Sequence, residues 1–123
     1  MNIVDSSGWL EYLGEGKNAA IFAPIVTDVE HLIVPSICIY EVFKRIAFQL
    51  SDEEALEAVG VMSLGRVVDL DRQLALEAAQ ISLMKKMAMA DSIILATARF
   101  YNAILWTQDA DFKDSESIKY IEK

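Results

Sequence analysis

The chain has 123 residues, 54% of them hydrophobic, and 19 acidic side chains against 11 basic ones give it a net charge of −8. That length suits a single domain spanning 1–123 with a real core, and no apolar run approaches the roughly 18 residues needed to cross a bilayer. The charge argues against a polyanionic partner, and the lone Cys38 excludes an intrachain disulfide and fits a reducing, cytoplasmic setting.

Asn2-Ile3-Val4 reads as a first short strand. Asp5-Ser6-Ser7 then supplies residues suited to cap a helix carrying Trp9, Leu10 and Leu13, which Gly14 and Gly16 stop. Asn18 to His31 is helix-like, with Ile21, Ile25, Val29 and Leu32 at three- or four-residue steps, and Pro24 is placed to kink or divide it. Leu32-Ile33-Val34 is a second strand. A helix from Ser36 to about Leu50 follows, with an apolar stripe at Ile39, Val42, Phe43, Ile46 and Leu50. Glu41 falls on its other side, near Ile37 and Phe48 and flanked by Lys44 and Arg45, so this helix has two apolar faces.

Ser51-Asp52-Glu53-Glu54 has the form of a capping box and opens a helix running to about Leu64. Arg66 to Leu70 is a third strand, and Asp71 caps a helix that ends near Lys86, where cations suit the negative end of the helix dipole. After a break at Met87-Ala88-Met89, the stretch Ala90 to Asn102 is apolar all round at Ile93-Ile94-Leu95-Ala96 and should be the most buried helix. Ile104 to Thr107 is a fourth strand, Gln108 to Phe112 a loop or helical turn, and Ile118 to Ile121 a terminal short strand. Strands alternating with helices predict an α/β fold, a three-layer sandwich whose mostly parallel sheet of four to five short strands is flanked by helices. High apolar content in so short a chain points to self-association.

Four acids recur at equivalent points of this alternation. Asp5 and Asp109 follow the carboxyl ends of strands, Asp91 lies in the first turn of a helix, and Glu41 lies just over one turn into another. A helix between parallel strands starts at the carboxyl edge of the sheet, where open α/β sheets form their ligand crevices, so the four acids converge if their strands are neighbours. Clustered carboxylates raise one another's pKa, and a hard, oxygen-seeking cation removes that cost; one histidine and one cysteine are too few soft ligands for zinc. Thr107 and Ser6 are placed to orient a carboxylate or a water. Each acid also has an ordinary structural reading: Asp5 and Asp91 as helix caps, Glu41 paired with Lys44 or Arg45, and Asp109 and Asp111 as turn acids. Lys44, Arg45, Lys85, Lys86 and Arg99 can form a local basic rim against the overall charge.

Ile3-Val4-Asp5-Ser6-Ser7, Ile39-Tyr40-Glu41-Val42, Ala90-Asp91-Ser92-Ile93-Ile94-Leu95-Ala96-Thr97-Ala98 and Leu105-Trp106-Thr107-Gln108-Asp109-Ala110-Asp111-Phe112, in this order, resemble PIN-domain ribonucleases, specifically the small VapC-type toxins of toxin–antitoxin pairs. The resemblance spans nearly the whole chain. It implies a PIN-like fold and RNA cleavage dependent on Mg²⁺ or Mn²⁺, with Asp5, Glu41, Asp91 and Asp109 as an acidic quartet and Asp111 as an alternate or supporting fourth acid. It also implies a homodimer and a cognate antitoxin that covers the site. Gln108 stands where a basic residue is common, and Ser92 replaces a frequent alanine. Substrate-contacting residues are not assigned. Two other readings stay open: a PIN-like module that binds RNA or protein without cutting, and a small-molecule phosphohydrolase, which the lack of a second aspartate two positions after Asp5 disfavours.

Overall fold

A computed structural model describes all residues, Met1–Lys123. Strands β1 (Asn2–Val4), β2 (Leu32–Pro35), β3 (Arg66–Val68), β4 (Ile104–Thr107) and β5 (Ile118–Tyr120) form one sheet in the order β3-β2-β1-β4-β5. Every pairing is parallel. The flanking helices are α1 (Ser6–Leu13), α2 (Ala19–Val26), α3 (Ser36–Gln49), α4 (Asp52–Met62), α5 (Arg72–Lys85) and α6 (Met89–Phe100). None is long and apolar enough to cross a membrane.

Parallel strands are covered on both faces, so the central ones are continuously apolar rather than alternating. Ile3, Val4, Leu32, Ile33, Val34 and Leu105 are all fully buried. As expected, α6 is the most enclosed helix, with every residue from Ser92 to Ala98 buried. The predicted caps form: Asp5, Ser51 and Asp71 accept from the amides of Gly8, Glu54 and Leu74 at 3.0, 3.1 and 2.9 Å.

The helix expected from Asn18 to His31 is divided. α2 ends at Val26, two residues beyond Pro24, and Val29–His31 forms a separate 3₁₀ turn. Proline lacks the N–H that would bond one turn back, so this helix is weakened where the chain must turn into β2. The break before α6 is a single left-handed residue, Lys86 (φ 54, ψ 41), after which Ser82 Oγ donates to the Met87 carbonyl at 2.7 Å.

Chain order and strand order together create the crevice. From β1 the chain moves outward to β2 and β3, then returns to β4 on the other side of β1. The connections leaving the carboxyl ends of β1 and β4 therefore diverge, which opens a ligand crevice at that edge. Above it α1 approaches β1 closely at Gly8, where a Cβ would lie 2.5 Å from Val4 Cγ1 and 2.7 Å from Phe22 Cε1. Both neighbours are fully buried and cannot move aside. Gly8→Ala is expected to destabilise the protein by about 1–3 kcal/mol, measurable by urea denaturation.

Candidate active site

β1 pairs with β4 in a register that sets Val4 opposite Trp106, so the next residues on each strand meet at the crevice floor. Thr107 Oγ1 donates to Asp5 Oδ2 at 2.6 Å and accepts the Asp109 amide at 2.9 Å. One hydroxyl thereby ties two acids from opposite ends of the chain. Asp5 Oδ1 accepts from Ser7 Oγ at 2.7 Å as well as from the Gly8 amide. A carboxylate offers about four lone-pair sites, so these three donors leave one to face the crevice. Asp5 is thus both the helix cap of its ordinary reading and a wall of the site. Burial pushes its pKa up; the bonds from Thr107, Gly8 and Ser7 oppose that, and the Asp109 charge adds to it.

Asp91 is not a cap. It is the third residue of α6, whose N-cap is Ala88, and no protein donor bonds its half-buried carboxyl. Its pKa is raised from the ordinary 3.8 to about 7, first by burial and then by the charges of Asp109, Glu41, Asp5 and Asp111. Such a shift in a cleft marks a group whose ionised form lacks a counter-charge. Glu41 does not pair with Lys44 or Arg45; its Oε1 accepts from Ser6 Oγ at 2.6 Å. Ser6 accordingly orients Glu41, while Ser7 orients Asp5. Asp109 Oδ1 accepts the Asp111 amide at 2.9 Å and so shapes the turn after β4.

Asp5, Glu41, Asp91 and Asp109 line one cavity of about 440 Å³, together with Ser6, Ser7, Leu10, Ile94 and residues of α3. Asp91 and Asp109 of this lining, with Asp111 beside it at the rim, each place a carboxylate oxygen within 4.8 Å of the other two. Asp5 and Glu41 stand outside that tightest set but within electrostatic reach of Asp91. All nearby donors are hard oxygens. Cys38, the soft candidate, is fully buried with its thiol pKa pushed well up by burial and by Asp5, and the exposed His31 pairs with Asp28 at 3.0 Å. The donor set fits a divalent cation that prefers oxygen.

Of the basic rim expected from the sequence, Lys44 and Arg45 line the cavity; Lys85, Lys86 and Arg99 do not. Gln108 is buried: its Oε1 accepts from Asn18 Nδ2 at 3.1 Å, and its backbone N–H donates to Ser7 Oγ at 3.3 Å. Its role is to brace the floor from behind, with Asn18 also donating to the Glu122 carbonyl at 3.2 Å. Sequence reasoning does not single out Ser7 or Asn18 as site residues. Ser7 is accessible through its adjacency to Asp5, whereas Asn18 lies ninety positions from Gln108 and carries no local signal.

The sequence matches the PIN domain family model over residues 3–116. The chain belongs to the PIN-domain family. Among curated proteins, none matches its sequence. Solved structures similar to this PIN domain include a toxin–antitoxin complex from Klebsiella pneumoniae, with TM-score 0.81, 19% identity and full coverage of both chains. VapC20 of Mycobacterium tuberculosis, described as a sarcin–ricin loop cleaving toxin, superposes with TM-score 0.76 at 14% identity over 100% of this chain and 98% of that one. FitAcB from Neisseria gonorrhoeae gives 0.78 at 21% identity over 98% and 97%. At these identities the likeness is one of fold.

Proposed function

We propose that this PIN domain is a metal-dependent endoribonuclease, the toxin component of a type II toxin–antitoxin pair. The observation that carries this reading is the set of carboxylates at the switch point of the sheet, three of them within 4.8 Å, with Asp91 pushed up to about 7 by burial and by the neighbouring acids. Asp91 and Asp109 would hold Mg²⁺ or Mn²⁺ together with Asp5, and Glu41 would contribute directly or through water. A bound cation would supply Lewis acidity toward a phosphodiester oxygen and acidify a water for attack. The chain's own residues do the rest. Thr107, Ser7 and Gly8 hold Asp5 in one orientation, Ser6 holds Glu41, and a carboxylate not engaged by the ion accepts the proton released by the attacking water. The descriptions of the Klebsiella complex and of VapC20 support the toxin assignment and RNA as substrate. A cognate antitoxin, a homodimer and a cytoplasmic location belong to the same reading, and the exposed Leu83, Met84 and Met89 are available for such contacts.

Incubating the purified chain with a panel of structured and unstructured RNAs in Mg²⁺, Mn²⁺ or chelator tests the proposal. Cleavage that persists in chelator would overturn it. Asp109 and Asp111 have different weights. Asp109 is half-buried, lines the cavity and is tied to Asp5 through Thr107, whereas Asp111 is exposed at the rim. Asparagine at either position keeps the local turn, since the carboxamide put in place of the Asp109 carboxylate still has an oxygen to accept the Asp111 amide. Asp109→Asn is expected to lower the cleavage rate by about 10³-fold and Asp111→Asn by about tenfold, measured under single-turnover conditions.

A further inference from the structure

The carboxylates occupy one wall of the cavity; α3 supplies another of different chemistry. Tyr40, Lys44 and Phe48 line it at four-residue steps, a single stripe about 12 Å long, with Arg45 on the adjacent row one turn beyond Glu41. Tyr40 is 58% and Phe48 88% exposed, so neither ring is part of the core. Lys44 and Arg45 are the only cations lining the cavity, and neither forms an ion pair although Glu41 lies within one helical turn of both. The Lys44 ammonium instead lies 5.6 Å from the centre of the Tyr40 ring and 3.5 Å from its hydroxyl. In a chain of net charge −8 these cations are the local feature that attracts an anion to the acidic site. A ligand matching alternating cations and exposed rings must carry both negative charge and flat π faces.

We infer that the α3 stripe is the substrate cradle: Lys44 and Arg45 hold backbone phosphates of an unpaired RNA strand, and Tyr40 and Phe48 stack its bases on either side. This deepens the nuclease reading and rests on it for the position of the cleaved phosphate. Ring stacking requires open base faces. In a duplex those faces are covered by neighbouring pairs, and the deep major groove of A-form RNA hides the base edges, so the stripe selects single-stranded segments. Lys44 and Arg45 set beside the two rings match a strand that carries a phosphate at every step, and this charge complementarity favours RNA as the occupant.

The test separates binding from cleavage by using Ca²⁺ in place of Mg²⁺ and reading fluorescence anisotropy of a labelled, mixed-sequence oligoribonucleotide, alone and annealed to its complement. Wild type is expected to bind the single strand at least about tenfold more tightly than the duplex. Tyr40→Ala and Phe48→Ala should each weaken single-strand binding by roughly tenfold or more, Tyr40→Phe should not, and Phe48→Leu should resemble Phe48→Ala because it is apolar without a π face. Lys44→Ala should lower the slope of log K against log salt by about 0.7. Equal affinity for single strand and duplex overturns the inference. So does full binding by Phe48→Leu, or an effect of the ring variants on oligomeric state in sedimentation with RNA affinity unchanged. Failure of the nuclease reading appears separately, as absence of cleavage in Mg²⁺ by a wild-type chain that binds RNA in Ca²⁺.

Discussion

Asp91→Asn is expected to abolish cleavage, by about 10³-fold or more, while making the metal-free protein more stable. The first effect follows from removing a charged ligand of the proposed metal site, with the loss of several kcal/mol of transition-state stabilisation. The second follows from the Asp91 environment, where no donor bonds the carboxyl and burial with four neighbouring acids raises its pKa from 3.8 to about 7. A raised carboxyl pKa means that the folded chain binds the proton more tightly than the unfolded chain. The stability it contributes is therefore complete below pH 3.8 and lost as pH rises through about 7. Because half the carboxyl meets water, which screens like charges, the loss is about 1–2 kcal/mol, and asparagine avoids it. In chelator the melting temperatures of variant and wild type should coincide near pH 4 and differ by roughly 4–8 °C at pH 8, the variant higher. Excess Mn²⁺ should reverse that order, because only the wild type gains stability from binding. A variant less stable than wild type at pH 8 in chelator would contradict this account of Asp91.

Asp5 carries the opposite stability consequence. Asp5→Ala should lose activity to a similar extent but also destabilise the fold by about 2 kcal/mol. It removes the cap of α1 and strands the Gly8 amide and the Ser7 and Thr107 hydroxyls, which are enclosed around it. Asp5→Asn separates the two roles. Its carbonyl can still accept from Gly8 and Ser7, and its amide can donate to Thr107 Oγ1, which has a free lone pair in that arrangement. Burial penalises the charge of Asp5, so the neutral side chain also relieves a cost. Asp5→Asn is expected within about 1 kcal/mol of wild-type stability and equally inactive. Chemical denaturation beside a single-turnover cleavage assay distinguishes the variants; an active Asp5→Asn would remove Asp5 from the proposed ligand set.

Much of this arrangement is readable from local patterns. The strand and helix sequence follows from apolar periodicity and from caps such as Ser51 and Asp71, because both are satisfied within a few residues of chain. At α2 two local signals compete: apolar spacing continues past Pro24 while the proline marks a division, and the helix closes at Val26, two residues beyond it. The cavity wall on α3 is half visible, since Glu41, Lys44, Arg45 and Phe48 share helical spacing. What spacing does not supply is whether Glu41 folds against those cations or, as the structure has it, accepts from Ser6, thirty-five residues earlier.

By itself the sequence determined which acids stand at the carboxyl edge of a parallel sheet, because strand–helix alternation constrains direction whatever the strand order. Only the tertiary structure decided that β1 and β4 are adjacent and that Val4 faces Trp106. That register brings Thr107 to Asp5, and the path of the chain after β4 gathers Asp109 and Asp111 around Asp91. Strand order and register are set by packing between segments a hundred residues apart, and no window of sequence contains both sides of that contact.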